Sequence, residues 1–279
     1  FGEELLIKDF ELSVESDYQE YKNNLYLVLA ERCAGYGWIL TAVTAASPLL
    51  DSSYVEKGRF GENEFNGMAS TRCSELGYWN YFTPIFDYSN IRAYADSIRR
   101  YVDMGLVAAP TELYYPVRLK PTGNNDLMRL RNEGVDHIEL RMFDLNPLCP
   151  EGLDARDVKF AQLLMIYLVC SPRQPFSPKD QVQAAQNFKN AAHYDLKTVK
   201  ILVPNGEVYS VADAGLKVIG FMKEFYKDAP EDVLSVLAFE EAKFIDPDNR
   251  YAWKIRKAYA DGFVEGGLEL AKKYQGMTD

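Results

Sequence analysis

Two segments of the chain place charged and aromatic side chains at every second position, and this spacing could serve chemistry. They run from Glu112 to Lys120 and from Asp136 to Asp144. Because successive side chains of a strand point to opposite faces, Glu139 and Arg141 would share one face. We expect that face to lie beside Tyr114 and Arg118 of the neighbouring strand. The spacing therefore predicts the floor of a cavity for a charged substrate.

The opposite face of the second segment is apolar. It carries Ile138, Leu140 and Met142, which we expect to pack against helices. A plainer interpretation of the polar face is a solvated sheet surface with cross-strand ion pairs. The segment from Phe143 to Pro147 favours the cavity, because polar loops that follow a rigid strand commonly carry ligands.

A third polar cluster lies between Thr71 and Asn80. Arg72 and Tyr78 stand six residues apart in it, around Gly77. Taken alone, this cluster is weak evidence for a binding site. It gains weight only from its order relative to the two strand segments.

Helical spacing surrounds these clusters. Apolar residues at steps of three and four predict a long helix that starts after Asp17 and stops at Ser47, before Pro48. Gly35 and Gly37 lie inside that pattern, and close packing is the expected reason. The stretch 51–67 is predicted as a loop, and a second helix is expected from Ser89 to Asp103, with Gly105 just beyond its end.

The two polar segments described first are predicted to be strands, separated by a turn at 121–125 and a short helical piece. The second half of the chain is predicted to be largely helical. Beyond Pro150 the pattern predicts helices at 154–170, 178–192, 210–227, 231–244 and 248–273. An Asn205-Gly206 turn could close a small hairpin. Central strands with surrounding helices predict an α+β protein rather than a βαβ alternation.

Composition excludes several classes of protein. With 47% apolar residues and 26% charged residues the chain is not disordered. Its 31 basic and 41 acidic residues give a net charge of −10, which repels a phosphate backbone, so nucleic acid is not an expected partner. No apolar run reaches the ~20 residues that span a bilayer. The four cysteines form no CxxC pair, and we expect free buried thiols in a reducing cytoplasm.

Four motifs, in this order, resemble the glutamate–cysteine ligase family, in its bacterial forms and in the ligase half of bifunctional glutathione synthetases. The resemblance runs from about Asp17 to about Cys170. The motifs are the helix from Tyr36 that ends at Ala45-Ala46-Ser47-Pro48; Arg72, Ser74, Gly77, Tyr78 and Asn80 as R-x-S-x-x-G-Y-x-N; Glu112, Tyr114, Pro116 and Arg118 as E-x-Y-x-P-x-R; and Ile138, Glu139, Arg141, Asp144, Asn146 and Pro147 within Y-I-E-x-R-x-x-D-x-N-P, with His137 in place of the aromatic residue.

The resemblance implies a glutamine-synthetase-like fold and a cytoplasmic enzyme that makes γ-glutamylcysteine, the first step of glutathione biosynthesis. Glutamate, cysteine and ATP would be its small-molecule substrates, with Mg²⁺ as cofactor. By the same resemblance Glu139 matches a metal ligand and Arg141 a catalytic arginine that faces the ATP phosphates. Arg72, Tyr78 and Tyr114 match residues of the amino-acid pocket.

Each of these residues also has a plainer interpretation. Arg72 could be a surface or helix-capping arginine, Tyr78 and Tyr114 could be tyrosines at the edge of the core, and Glu139 could simply pair with Arg141. Asp144 and Asn146 are expected to fix the corner after the strand through bonds to the backbone rather than to touch substrate.

The predicted organisation is a partial ligase domain at 1–170, made of sheet and helices, followed by the helical end of the same domain at 171–279. The chain begins at Phe1, and the N-terminal half of the family's fold, with its further glutamates, is expected to be missing. The chain alone is therefore expected to be inactive. Two alternatives stay open: another carboxylate–amine ligase of the same fold, or a non-catalytic binding module.

Overall fold

The computed structural model describes residues 3–124, 126–172, 174, 176–203, 206–260 and 262–276. The chain divides into two compact units, each built from three segments. The first unit comprises Phe1–Gly35, Trp79–Arg141 and Leu168–Val182, and the second comprises Tyr36–Tyr78, Met142–Tyr167 and Gln183–Asp279. The predicted domain boundary at residue 170 stays a prediction.

Helices dominate the described residues, with short antiparallel strand pairs between them. The helices are α1 (Glu3–Leu12), α2 (Tyr18–Thr44), α3 (Ile91–Asp103), α4 (Leu127–Glu133), α5 (Ala155–Cys170), α6 (Pro178–Ala191), α7 (Val211–Phe225), α8 (Glu231–Ile245), α9 (Tyr251–Ala258) and α10 (Phe263–Gln275). The strands are β1 (Leu50–Asp51), β2 (Asn63–Glu64), β3 (Val117–Lys120), β4 (His137–Leu140), β5 (Lys200–Leu202) and β6 (Val208–Ser210). They pair as β1 with β2, β3 with β4 and β5 with β6. None of the described helices is long and apolar enough to cross a membrane.

The two long helices predicted in the first half of the chain are confirmed, although α2 ends at Thr44 rather than at Ser47 and the cap of α3 differs from the prediction. Asp17 Oδ1 accepts from Gln19 N at 2.9 Å and begins α2, as side-chain caps of Asp commonly do. Helix α3 begins two residues later than predicted, because Asn90 Oδ1 accepts from Ala93 N at 2.9 Å and is the cap in place of Ser89. Gly105, at φ +70°, follows its end as expected.

The predicted strands are shorter than their two-residue pattern indicates. Residues 110–112 form a 3-10 turn, and 113–117 are all buried rather than alternating. The cause is ring packing on both sides of the chain: Tyr115 lies edge-on to Phe86 at 4.6 Å, and Tyr114 lies edge-on to Trp79 at 5.3 Å. On β4, Ile138 and Leu140 are only half-buried, so the apolar face is less enclosed than predicted.

Two further predictions are corrected by contacts that are distant in sequence. The predicted loop 51–67 contains the hairpin β1–β2. The single helix predicted at 248–273 is broken between α9 and α10, where Asn63 Nδ2 donates to Tyr259 O at 2.7 Å and Asn63 Oδ1 accepts from Phe263 N at 2.9 Å. A side chain from β2 thus caps both ends of the break.

The other helices of the second half, α5 to α8, lie within a few residues of their predicted bounds. The hairpin predicted around 205–206 is present as β5–β6. Gly206 has φ +83°, whereas Asn205 lies outside the described residues.

Of the two glycines inside α2, Gly35 and Gly37, only Gly37 lies so close to a neighbour that a larger side chain would crowd it. A Cβ on Gly37 would lie 3.1 Å from Met142 Cε, which is tighter than ordinary contact. A Cβ on Gly35 would make only ordinary contact, at 3.5 Å from Phe176. The close approach predicted for the pair is therefore present at Gly37.

All four cysteines are free, but they are not all buried as predicted. Cys33 and Cys73 are buried, Cys149 is half-buried and Cys170 is exposed at the end of α5.

The core of the second unit contains a buried group of charges. Lys243 Nζ of α8 lies 2.7 Å from Asp157 Oδ1 of α5 and 2.8 Å from Glu240 Oε2, and it donates to Val43 O at 3.1 Å. The Tyr251 hydroxyl donates to Asp157 Oδ1 at 3.1 Å. Burial raises the pKa of Glu240 to about 8, with the Lys243 charge opposing the rise and the Asp157 charge adding to it. Two carboxylates thus share one ammonium.

This group predicts stability that falls with rising pH. Folded Glu240 holds its proton at pH values where the unfolded side chain, with an ordinary pKa of 4.5, has lost it. Its contribution is therefore complete below pH 4.5 and is lost as the pH rises through about 8. The slope for one proton is at most about 1.4 kcal/mol per pH unit. We expect Glu240→Gln to flatten the fall in the free energy of unfolding of the 279-residue chain between those pH values, measured by denaturant titration.

The control is Glu241→Gln on the same helix. Glu241 is partly exposed and pairs with Lys223, so its loss should leave the pH dependence close to that of the parent. Equal slopes for the parent and Glu240→Gln would contradict the prediction.

A tight turn in the second unit, from Ser70 to Gly77, depends on the absence of a side chain at Gly77. Gly77 N donates to Ser74 O at 3.1 Å. A Cβ on Gly77 would lie 2.1 Å from Arg72 O and 3.0 Å from Thr71 O. Because both neighbours are backbone atoms, a larger residue could be accommodated only by moving the turn.

We therefore expect Gly77→Ala to destabilise the chain by about 1–3 kcal/mol, the usual cost of overpacking. The matched control is Gly220→Ala in α7, where a Cβ would meet nothing within 4 Å. That change should raise stability by up to about 1 kcal/mol, since alanine favours a helix over glycine. Thermal unfolding of the two variants should therefore move in opposite directions. A Gly77→Ala chain as stable as the parent would refute the close approach.

Candidate active site

The polar face predicted from the two-residue spacing is assembled in the first unit. Arg118 of β3 lies opposite Glu139 of β4. Arg141, two positions further on, lies on the same side, and its amide nitrogen donates to Pro116 O at 2.8 Å. The guanidinium carbon of Arg141 lies 5.1 Å from the centre of the Tyr114 ring, within the range of a cation–π contact. The structure thus brings Tyr114, Glu139 and Arg141 together.

This cluster is locally positive in a chain of net negative charge. Lys120 Nζ lies 3.1 Å from Glu139 Oε2, so this carboxylate pairs with a lysine, and Arg118 lies opposite it in the strand register. Arg118 donates to Thr111 O at 3.2 Å. Burial lowers the pKa of Arg118, and the like charge of Arg141 lowers it further. Three cationic side chains therefore surround one carboxylate.

Arg118 lies on this face as the sequence predicted, opposite Glu139. Lys120 had no role in the sequence prediction, although the same alternation that groups Glu139 with Arg141 places it on that face of β3.

The ring of Tyr114 is held in place through its backbone. Asn80 Nδ2 donates to Tyr114 O at 2.7 Å, and Tyr114 N donates to Asn80 Oδ1 at 3.1 Å. Trp79 packs edge-on against the ring. The motif around residue 80 therefore serves the strand face by orienting Tyr114, a function that residue types alone did not indicate.

The two remaining predicted residues lie in the second unit. Arg72 is exposed on the turn from Ser70 to Gly77, and its Nη1 donates to Phe143 O at 2.7 Å. Tyr78 follows that turn and is 67% exposed. The backbone contact of Arg72 holds the side chain beside the corner after β4.

The corner after β4 is built on Asp144, which is 3% exposed. Asp144 Oδ2 accepts from Ala46 N at 2.9 Å and Ser47 Oγ at 2.8 Å, and Oδ1 accepts from Ser70 Oγ at 2.9 Å. Burial raises the pKa of Asp144, and these hydrogen bonds oppose the rise. Asn146 Oδ1 accepts from Leu148 N at 3.0 Å. Both residues bond to the backbone as predicted, and Asp144 bonds to two hydroxyls as well.

A magnesium site is not complete in this set of donors. Across the part of the chain that the structure describes, no group of three or more His, Cys, Asp or Glu side chains is arranged to hold a metal ion. Glu139 is a single carboxylate and is already paired with Lys120. Because Mg²⁺ demands about six oxygen ligands, these residues do not form a magnesium site by themselves.

A cavity of about 740 Å³ lies elsewhere in the first unit, between α3, the segment 85–89 and the start of α6. The amide of Gln181, one of its lining side chains, is already bonded to both backbone groups of Phe86. None of the five predicted site residues lines it.

Comparison with known proteins gives relatives of one kind. Residues 80–191 match the family model described as glutamate-cysteine ligase. The chain is 28% identical over 276 residues to the glutathione biosynthesis bifunctional protein GshAB of Clostridium perfringens, covering 95% of this chain and 36% of that protein. It is 30% identical over 271 residues to GshAB of Listeria welshimeri, covering 94% and 35%. The chain thus spans about a third of the length of these curated relatives.

Solved structures share the fold. The glutamate–cysteine ligase of Francisella tularensis, solved in complex with AMP, matches with a TM-score of 0.83 at 17% identity, over 99% of this chain and 62% of that one. A bifunctional glutathione synthetase from Pasteurella multocida matches with a TM-score of 0.79 at 23% identity, over 98% and 35%. The predicted α+β fold is confirmed by these matches, whereas its description as glutamine-synthetase-like stays a prediction. The findings together confirm that this chain is related to the glutamate–cysteine ligase family, as the motifs around Arg72, Tyr114 and Glu139 predict.

Proposed function

We propose that this chain supplies part of the active site of an ATP-dependent ligase that joins the γ-carboxylate of glutamate to the amino group of cysteine. The family match and the names of the relatives support this activity. The observation that carries it is the cationic strand face, in which Arg141 lies over Tyr114 on the same side as Arg118. That face lies inside the matched residues, and its charge suits an anionic group such as a phosphate.

The proposed reaction has two steps. A γ-carboxylate oxygen of glutamate attacks the terminal phosphorus of ATP, the bond from that phosphorus to the bridging oxygen breaks, and ADP leaves. The amino nitrogen of cysteine then attacks the acyl carbon, loses a proton and expels inorganic phosphate. Because negative charge is spread over phosphoryl oxygens in the first step, fixed cations lower its barrier.

The residues of the first unit suit that step. Arg141 is proposed to bind the phosphate oxygens of ATP and to stabilise the transferred group. The Tyr114 ring supports its guanidinium at 5.1 Å through a cation–π contact. Tyr114 is also proposed to line the amino-acid pocket, and the AMP bound to the Francisella tularensis ligase supports a nucleotide site in such enzymes.

Substrate and metal binding are proposed for three further residues. Arg72 and Tyr78 would bind the amino-acid substrate, since a guanidinium grips a carboxylate through two hydrogen bonds. Glu139 would give one oxygen to Mg²⁺, which when bound neutralises phosphate charge. The other ligands would come from ATP phosphates, water or residues outside this cluster. Four free cysteines suit a reducing compartment, and we propose the cytoplasm.

The first test replaces Arg141 in a ligase that contains this chain. Arg141→Lys keeps the charge but loses the planar fork, so we expect kcat for γ-glutamylcysteine formation to fall by about 100- to 1000-fold. Dipeptide and ADP would both be quantified by chromatography.

Arg129→Lys is the matched control. Arg129 forms an exposed pair with Glu133 at 2.8 Å on α4, so this change should alter kcat by no more than ~2-fold. An Arg141→Lys enzyme that keeps more than about a third of the parent rate would remove Arg141 from the catalytic residues. Replacing cysteine by other amines in the same assay separates this ligase from one with another amine substrate.

The second test concerns the 279-residue chain by itself. We expect no γ-glutamylcysteine from glutamate, cysteine and MgATP, because the cluster around Glu139 offers one carboxylate where Mg²⁺ takes about six oxygens. Coupled release of phosphate and dipeptide at ~1 s⁻¹ or more, a typical enzyme rate, would contradict this. If a longer protein that includes this chain is also inactive, the non-catalytic alternative is favoured.

A further inference from the structure

The turn that carries Arg72 is hydrogen-bonded to the carboxylate of Asp144, in the corner after β4. Ser70 Oγ donates to Asp144 Oδ1 at 2.9 Å. Ser70 Oγ also accepts from Cys73 N at 3.1 Å. Because the Ser70 hydroxyl donates its hydrogen bond to Asp144, the lone pairs of Ser70 Oγ are oriented to accept the hydrogen bond from Cys73 N. Asp144 thereby sets the start of the turn on which Arg72 stands.

Two side chains of the turn also donate hydrogen bonds to the backbone before Asp144. Arg72 Nη1 donates to Phe143 O at 2.7 Å, and Cys73 Sγ donates to Met142 O at 3.4 Å. The segment 142–144 therefore meets the turn at three consecutive residues. Because one of these contacts is the guanidinium of Arg72 itself, a shift of the segment moves that side chain directly.

The other oxygen of Asp144 anchors the segment to the end of α2. Oδ2 accepts from Ala46 N at 2.9 Å and Ser47 Oγ at 2.8 Å. Ser47 Oγ in turn accepts from Thr71 N at 3.1 Å, so the residue before Arg72 is held from this side as well. The buried long helix thus serves as the rigid reference for the turn.

We propose that Asp144 is the positioning residue of Arg72, holding the turn 70–77 so that the guanidinium faces the amino-acid substrate. The role given to Arg72 rests on the proposed function. The donors Ala46 N, Ser47 Oγ and Ser70 Oγ are divided between the two carboxylate oxygens of Asp144. An asparagine has only one side-chain oxygen that accepts, and its NH₂ group would replace the other oxygen and face at least one of these donors.

The proposal is tested by Asp144→Asn in a ligase that contains this chain. We expect KM for the amino acid bound by Arg72 to rise ~10-fold or more, the effect of losing a charged hydrogen bond, while KM for ATP stays within ~2-fold. Combining Asp144→Asn with Arg72→Lys should add little to either single change. Parallel changes in both KM values, or additive effects, would overturn the positioning role.

The matched control is Asn187→Asp, an exchange of the same shape in the opposite sense. Asn187 is buried in the same unit and bonds to both backbone groups of Leu202. General destabilisation of the unit would affect both variants. Only Asp144→Asn should raise KM for the amino acid while leaving KM for ATP nearly unchanged. Should Asp144→Asn fail to fold, Ser70→Ala removes the link to the turn and leaves the carboxylate, and the same separation of KM values is expected.

Hydrogen exchange distinguishes failure of this inference from failure of the proposed function. In protein without substrate, Asp144→Asn should lower the protection of peptides spanning 70–77, and Asn187→Asp should not. A parent protein that makes no γ-glutamylcysteine would refute the function and leave this comparison intact. Unchanged protection at 70–77 in Asp144→Asn would refute the positioning of Arg72, whatever the reaction.

Discussion

A carboxylate can be buried only when its oxygens are hydrogen-bonded, because an unpaired charge in the interior costs several kcal/mol. Asp144, at 3% exposure, meets this condition with three donors, one from a backbone amide and two from hydroxyls. Those donors belong to the end of α2 and to the turn that carries Arg72. The loss of any one of them would remove a hydrogen bond from a buried charge, so Asp144 constrains the geometry of the second unit's polar corner.

In the first unit, cationic side chains lie together on one strand face around the single carboxylate of Glu139. Arg118 is supported by the backbone oxygen of Thr111, and the guanidinium of Arg141 lies over the Tyr114 ring. These contacts stabilise a guanidinium through backbone dipoles and a ring quadrupole. The lowered pKa of Arg118, which results from burial and then from Arg141, reflects the cost. A bound anion, as proposed for this face, would relieve the repulsion between Arg118 and Arg141.

Local sequence patterns predicted what local interactions decide. The start of α2 at Asp17, the end of α3 before Gly105 and the shared face of Glu139 and Arg141 all follow from caps and periodicity. The pattern failed where distant residues intervene: Asn63 breaks the last helix from about two hundred residues away, and ring packing buries 113–117. The site shows the same limit. Motifs gave the residue types, but the bond between Ser70 and Asp144 joins residues 74 positions apart.

The second unit buries carboxylates in two ways, and the difference bears on where its chemistry can lie. At Asp157 the partner is the Lys243 ammonium, which also lies beside the raised-pKa carboxyl group of Glu240, so much of the charge is cancelled inside the core. At Asp144 the donors are neutral, and the negative charge is stabilised but not cancelled. Only the second arrangement leaves a field that attracts the nearby Arg72 guanidinium. The core group therefore contributes to stability, whereas the charge of Asp144 can also set the direction of a side chain that is proposed to bind substrate.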